Sequence, residues 1–286
     1  DQGEMIVRIG HSPDPDDAFM FYAMTTNAFP TPGYKFVHEL QDIETLNKRA
    51  IECDLEVSAV SIHAYPEIAG NYALMNCGAS MGEGYGPMIV AKKGTSIDDA
   101  KSNTIAVPGL KTSAYLGIKL CWGDLNYEVV PFDEIIPNIV NGTFVSGLII
   151  HEGQLTYADY DLEVLLDLGI WWNEFSGGLP LPLGGNVVRR DLGLKAINDI
   201  TRYTKMSIEH SLKNPKIALD FAKNWGRGID DETNSKFVSM YVNERTIDYM
   251  EDGRKAIRTF LEEGQKIGLV QQDFNISQID FIGAGD

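Results

Sequence analysis

The sequence predicts a two-lobed α/β protein whose first lobe is discontinuous, with a ligand cleft between the lobes. Three observations carry that prediction. The chain has 286 residues, too many for one ordinary core and about right for two α/β lobes at roughly 100–200 residues each. Strand-like and helix-like segments alternate in its first third, the rhythm of parallel strands joined by crossover helices. Two glycine- and proline-rich stretches, Gly82–Pro87 and Gly177–Gly185, each lead into a strand, which assigns residues 1–93 and 184–286 to the first lobe and 94–183 to the second.

The elements follow in order. Met5–Gly10 reads as a strand and His11–Asp17 as a loop, after which Ala18–Thr26 carries Phe19, Phe21, Tyr22 and Met24 on a helix. Lys35–Leu40 is a second strand. Asp42 is placed to cap the helix Glu44–Ile51. Leu55–Val60 is a third strand ending at Ser61, and Ile62–Ile68 begins another helix. Beyond the first crossing come the strand Met88–Lys92, the strand Asn103–Val107, a turn at Pro108-Gly109 and the helix Thr112–Trp122. A short strand Glu128–Pro131, a helix Asp133–Asn141 and the buried strand Ser146–Ile150 complete that unit, the last closing on His151. The second crossing leads to the strand Asn186–Arg189. From Leu194 the chain is helical, punctuated at Asn214-Pro215, Gly226–Gly228 and Asp252-Gly253. Phe237, Met240, Tyr241 and Met250 fall near helical spacing there and read as core.

Composition bounds the partners. A hydrophobic content of 44% with 23% charged residues is that of an ordinary soluble globular protein, and no apolar run approaches the roughly 18 residues of a membrane helix. A net charge of −17 argues against nucleic acid and anionic membranes, which require a basic face. A small anionic ligand stays compatible, because a few oriented N–H groups make a local positive site on an acidic protein. Cys53, Cys77 and Cys121 are odd in number and scattered, so they read as free thiols in a reducing compartment, and a cytoplasmic location is expected. The first residues show no basic stretch followed by an apolar one, so no secretory signal is read there. Asp1–Glu4 look like a tag remnant ahead of Met5, although a mature exported protein would look similar. The chain contains no dinucleotide or nucleotide phosphate loop, no paired-histidine zinc helix and no serine elbow.

Ligands of open α/β sheets collect beyond the carboxyl ends of the strands. Those ends deliver Ser12, Asp14, Asp16 and Asp17, then Ser61 and His63, then Lys111, Thr112, Ser113 and Ala114, and last His151 and Glu152. An imidazole at the lip of a buried strand titrates near neutrality and suits a general base; a capping or hydrogen-bonded structural histidine fits His151 equally. Thr112-Ser113-Ala114 opens a helix, and its N–H groups and hydroxyls form a cradle for a carboxylate or phosphate or a simple N-cap. Among Asp14, Asp16 and Asp17, one is expected to cap the following helix; their spacing fits no calcium loop, and no metal is assigned to them. His11 and His63 are secondary cleft candidates, whereas His38 and His210 sit within a strand and a helix and have no expected catalytic role. Trp171, Trp172 and Phe175 suit either the cover of a flat ligand or core packing.

Several ordered motifs then fit one known family. They are Ser12-Pro13 through Tyr22-Ala23, Asp42-Ile43-Glu44-Thr45-Leu46-Asn47, Gly84-x-Gly86-Pro87, Val107-Pro108-Gly109, and Thr112-x-Ala114-Tyr115. The most specific are Gly147–Glu152 with Thr156-Tyr157, and Gly178–Gly184 leading to Arg189–Gly193. On these the chain resembles the 1,4-dihydroxy-6-naphthoate synthases of the futalosine route to menaquinone, a bacterial family with a type II periplasmic-binding-protein fold. The resemblance implies a lyase that converts cyclic dehypoxanthine futalosine, a small anionic aromatic substrate, without metal or organic cofactor. It places the family's catalytic histidine on His151 and its carboxylate-binding groups on Ser61, Ser113 and Ala114, with Thr112, Asp17 and Ser12 beside them. Asp14, Asp16 and Ala18 depart from the family, which often shows Cys, Asn and Thr there, and two added carboxylates are expected to make the cleft more negative. Two alternatives within the same fold are a solute-binding protein for a small carboxylate and the related chorismate dehydratase.

Overall fold

The computed structural model describes residues 3–12, 14–225 and 230–285; Pro13, the Gly226–Gly228 break and the first two residues of the tag-like segment lie outside that range. Among the described residues the strands form two mixed sheets. The larger contains β1 (Met5–His11), β2 (Tyr34–Leu40), β3 (Val57–Ser61), β4 (Tyr72–Met75), β5 (Ser80–Gly82), β11 (Leu181–Arg189) and β12 (Phe281–Ile282). The smaller contains β6 (Met88–Lys92), β7 (Ile105–Val107), β8 (Tyr127–Val129), β9 (Ser146–Ile149) and β10 (Leu162–Asp167). Their orders are β12-β4-β11-β3-β1-β2, with β5 on β11, and β10-β6-β9-β7-β8. The expected parallel unit is present, β1 pairing in parallel with both β2 and β3, while β11 returns antiparallel to β3.

Sheet membership therefore changes at residues 83–87 and again at 168–180. β6 pairs within the smaller sheet, against β9 and β10, although a boundary at 93 assigns it to the first lobe; the glycine-rich segment itself is the crossing. The two crossings run side by side. Leu168 donates its N–H to the Pro87 carbonyl at 2.9 Å, and a Cβ on Gly169 would overlap the Tyr85 carbonyl.

The first helix starts at Pro15, earlier than the expected Ala18, because proline at its first turn supplies a helical φ and needs no N–H partner. It is apolar on nearly all sides, with Phe19, Phe21, Met20 and Met24 buried, and so lies inside the protein. The helix Leu194–Lys213 covers it, donating Ser207 and Ser211 hydroxyls to the Met20 and Phe19 carbonyls at 2.7 Å each. β11 begins at Leu181, inside the expected break; Pro182 is accommodated because the register with β5 slips between Pro182 and Gly184. One continuous apolar cluster joins the two sheets, running from Val60 and Ile62 to Val107, Leu116, Leu148 and Leu168. Trp172 belongs to it, with its Nε1 donating to the Pro180 carbonyl at 2.8 Å and its ring edge-on to Phe260. The tryptophan pair packs the core and does not line the cleft.

Candidate active site

The carboxyl ends of β1, β3, β7 and β9 converge on a cleft of about 700 Å³, its open mouth included. Its walls include every substrate-site residue read from the sequence: Ser12, Asp17, Ser61, Thr112, Ser113, Ala114 and His151. His11 and His63 are absent from those walls. His11 is buried behind them, bonded to the Ser12 carbonyl at 2.9 Å and to His38 at 2.6 Å. The His63 ring nitrogens lie 3.0 and 3.2 Å from the Thr112 and Leu269 carbonyls, of which a neutral ring can donate to one; burial lowers its pKa, and the side chain is held away from the cleft walls in a structural role.

His151 follows β9 by two residues and has a φ of +58°, a left-handed conformation that is uncommon outside glycine. Phe132 meets its ring edge-to-face at 4.8 Å between centroids. Its Nδ1 meets the Asp14 carboxylate, and both side chains are nearly buried. Asp14 occupies the N-cap position of the helix Pro15–Thr25, yet its side chain makes no capping bond. A capping aspartate is worth about 1 kcal/mol, so this carboxylate forgoes a local bond for one across the cleft.

One pole of the cleft is built to receive an anion. Asn47 holds Ser61 twice, donating from Nδ2 to Ser61 Oγ at 3.0 Å and accepting from the Ser61 N–H at 2.9 Å. The Ser61 hydroxyl therefore keeps its proton for a ligand. Thr112 caps the helix Ser113–Trp122 by accepting from the Tyr115 N–H at 3.1 Å. The amides of Ser113 and Ala114, at the head of that helix, have no carbonyl one turn back to bond. The Ser113 hydroxyl is already engaged: it donates to the Leu183 carbonyl at 2.6 Å and accepts from the His63 N–H at 3.1 Å. Its backbone rather than its hydroxyl is thus what can meet an anion. Lys111 lies outside the cleft walls and pairs with Glu67 at 2.7 Å.

The acidic loop forms the other side. Asp17 accepts from both the N–H and the hydroxyl of Ser12, at 2.9 and 3.0 Å. Burial pushes the Asp17 carboxyl above the usual range, and burial followed by the charges of Asp17 and Asp14 pushes Asp16 higher still. Burial thus disfavours the charged forms of Asp16 and Asp17, while the Asp14 carboxylate is engaged with His151. Two buried acceptors on the walls, Asp16 Oδ1 and Asn186 Oδ1, have no hydrogen-bond partner among the described residues. Among those residues no three His, Cys, Asp or Glu side chains are grouped to hold a metal ion.

Several wall residues escape the sequence reading, Tyr241, Gln154, Phe237 and Asn186 among them. Tyr241, taken as core, donates its hydroxyl to Gln154 Oε1 at 2.6 Å and so spans from the larger-sheet side to the smaller. Phe237 lines the cleft one turn earlier, and Asn186 is tied to the Gly78 carbonyl at 3.0 Å. A helical apolar stripe carries no signal that separates a cleft-facing tyrosine from a core one.

A family profile described as menaquinone biosynthesis matches residues 7–266. The chain belongs to that family. It is 35% identical over 263 residues to the 1,4-dihydroxy-6-naphthoate synthase of Thermus thermophilus, covering 92% of this chain and 95% of the relative. A solved protein of Archaeoglobus fulgidus superposes with a TM-score of 0.87 at 42% identity, over 93% of this chain and 98% of that one. The alkanesulfonate-binding protein SsuA of Xanthomonas axonopodis pv. citri superposes with a TM-score of 0.70 at 11% identity, over 97% and 99% of the two chains. That likeness gives the family member its fold, the periplasmic-binding-protein-like one expected from the resemblance. Among the described residues no helix is long and apolar enough to cross a membrane.

Proposed function

We propose that this chain is a cofactor-independent cytoplasmic lyase that converts cyclic dehypoxanthine futalosine to 1,4-dihydroxy-6-naphthoate, with His151 as its general base. The observation that carries this reading is the placement of an imidazole and an anion cradle on the walls of one cleft. The substrate carboxylate lies at the amides of Ser113 and Ala114 and the Ser61 hydroxyl. That anchor holds the sugar-derived ring toward His151, which takes a proton and starts cleavage. Asp16 Oδ1 and Asn186 Oδ1 suit the ring's hydroxyl donors, since a buried acceptor left without a partner costs about 1–3 kcal/mol. The residues of the larger and smaller sheets act as two lobes that close over the substrate and exclude water.

The test is incubation with cyclic dehypoxanthine futalosine and mass spectrometry for the naphthoate, for the native chain and for His151→Ala. The expected result is product from the native chain and none from the variant, with thermal midpoints within about 2 °C. Turnover of chorismate instead would assign the chain to the dehydratase reaction. Tight binding without turnover would make it a solute-binding protein.

A further inference from the structure

We propose that Asp14 is the positioning residue for His151, and that the working base is a carboxylate–imidazole pair completed only when the two sides of the cleft meet. The inference rests on the reading of His151 as base and extends it to a residue at which the chain departs from its resemblance family.

Three features support it. Asp14 Oδ2 sits on His151 Nδ1, with side-chain exposures of 5% and 11%. Asp14 leaves its own helix uncapped to make that contact. His151, whose Nδ1 meets Asp14, holds a left-handed backbone, and such strain persists only where surrounding contacts enforce it. A carboxylate oxygen only accepts, so Nδ1 carries the hydrogen and Nε2 carries the lone pair. When Nε2 takes the substrate proton, the ring becomes an imidazolium whose Nδ1 proton stays in place, and Asp14 balances the new charge without being protonated. Asp14 follows β1 in the larger sheet, whereas His151 follows β9 in the smaller. Each half alone therefore holds only one member of the pair.

The experiment compares native protein, Asp14→Ala, Asp14→Asn and His151→Ala under steady-state turnover of cyclic dehypoxanthine futalosine. Asp14→Ala is expected to lower kcat on the order of 100-fold with KM changed less than about threefold, the signature of a group that acts in the transition state. Added formate, small enough for the vacated space, should restore part of the rate in Asp14→Ala and none in His151→Ala. Asp14→Asn keeps the size and an acceptor but loses the charge, and should also be slow; it serves as the measured variant if Asp14→Ala does not fold by circular dichroism. A native kcat in either Asp14 variant, or a loss confined to KM, would overturn the proposal. Should His151→Ala itself turn over, the assignment of the base falls; His151→Ala inactive beside a fully active Asp14→Ala removes only the positioning role.

Discussion

Ser113→Ala separates two ways in which this cleft can hold an anion. The hydroxyl donates to the Leu183 carbonyl at 2.6 Å and accepts from the buried His63 N–H at 3.1 Å. Removing it deletes two hydrogen bonds, each worth about 0.5–1.5 kcal/mol net, and leaves a buried N–H without an acceptor at about 1–3 kcal/mol. Because these overlap, the expected loss of folding stability is about 2–3 kcal/mol. The Ser113 and Ala114 amides stay where they are, since alanine keeps the helix and Thr112 keeps its cap. KM should therefore change by less than about threefold. Urea denaturation at fixed pH gives the first quantity and steady-state kinetics the second. A tenfold rise in KM, worth about 1.4 kcal/mol, with stability altered by less than about 0.5 kcal/mol, would refute the argument and show the hydroxyl itself on the ligand.

Two further outcomes follow from the buried titratable groups. Asp16 has a folded-state pKa raised by burial and by its acidic neighbours, so its penalty is absent below the unfolded value near 4 and grows as pH rises through the folded one. Asp16→Asn should accordingly stabilise the chain at pH 7 by about 1–2 kcal/mol, with the gain vanishing by about pH 4 in denaturant melts at both pH values; no gain at pH 7 would show the carboxyl to be compensated. His38 is displaced the other way, lowered by burial and then by His11 to about 3. Its neutral form supports the fold above the unfolded value of about 6.5, and that support is lost as pH falls toward 3, at up to about 1.4 kcal/mol per pH unit. Stability of the native chain between pH 6.5 and 4 should thus fall more steeply than that of His38→Phe, and parallel slopes would contradict the assignment.

What the sequence disclosed depends on how far apart the cooperating residues lie. The strand ends were readable because short apolar runs and the turn residues after each strand are local, and they delivered Ser61, Thr112 and His151 to one cleft. The Thr112 cap was legible from the helix start. β10 was missed because Leu162–Asp167 sits at an edge of its sheet, with only β6 beside it, and Glu163 and Asp167 interrupt its apolar pattern. The destination of Asp14 was not legible at all. Local chemistry assigns an aspartate before Pro15 to capping, and only the approach of the other sheet redirects it to His151. The burial that raises the Asp16 and Asp17 carboxyls was hidden for the same reason, since it is a tertiary effect.

The side-by-side crossings bear on how such a pair is assembled. At Tyr85–Pro87 against Leu168–Gly169 the two crossings touch through backbone, the Leu168 N–H donating to the Pro87 carbonyl and no side chain at Gly169 holding them apart. Leu168, the residue that makes this bond, is also buried in the apolar cluster that joins the two sheets, so the crossing is tied to the core on which both are packed. The carboxylate after β1 and the imidazole after β9 are mounted on opposite sheets, so their alignment is set by the same crossings that hold those sheets in register.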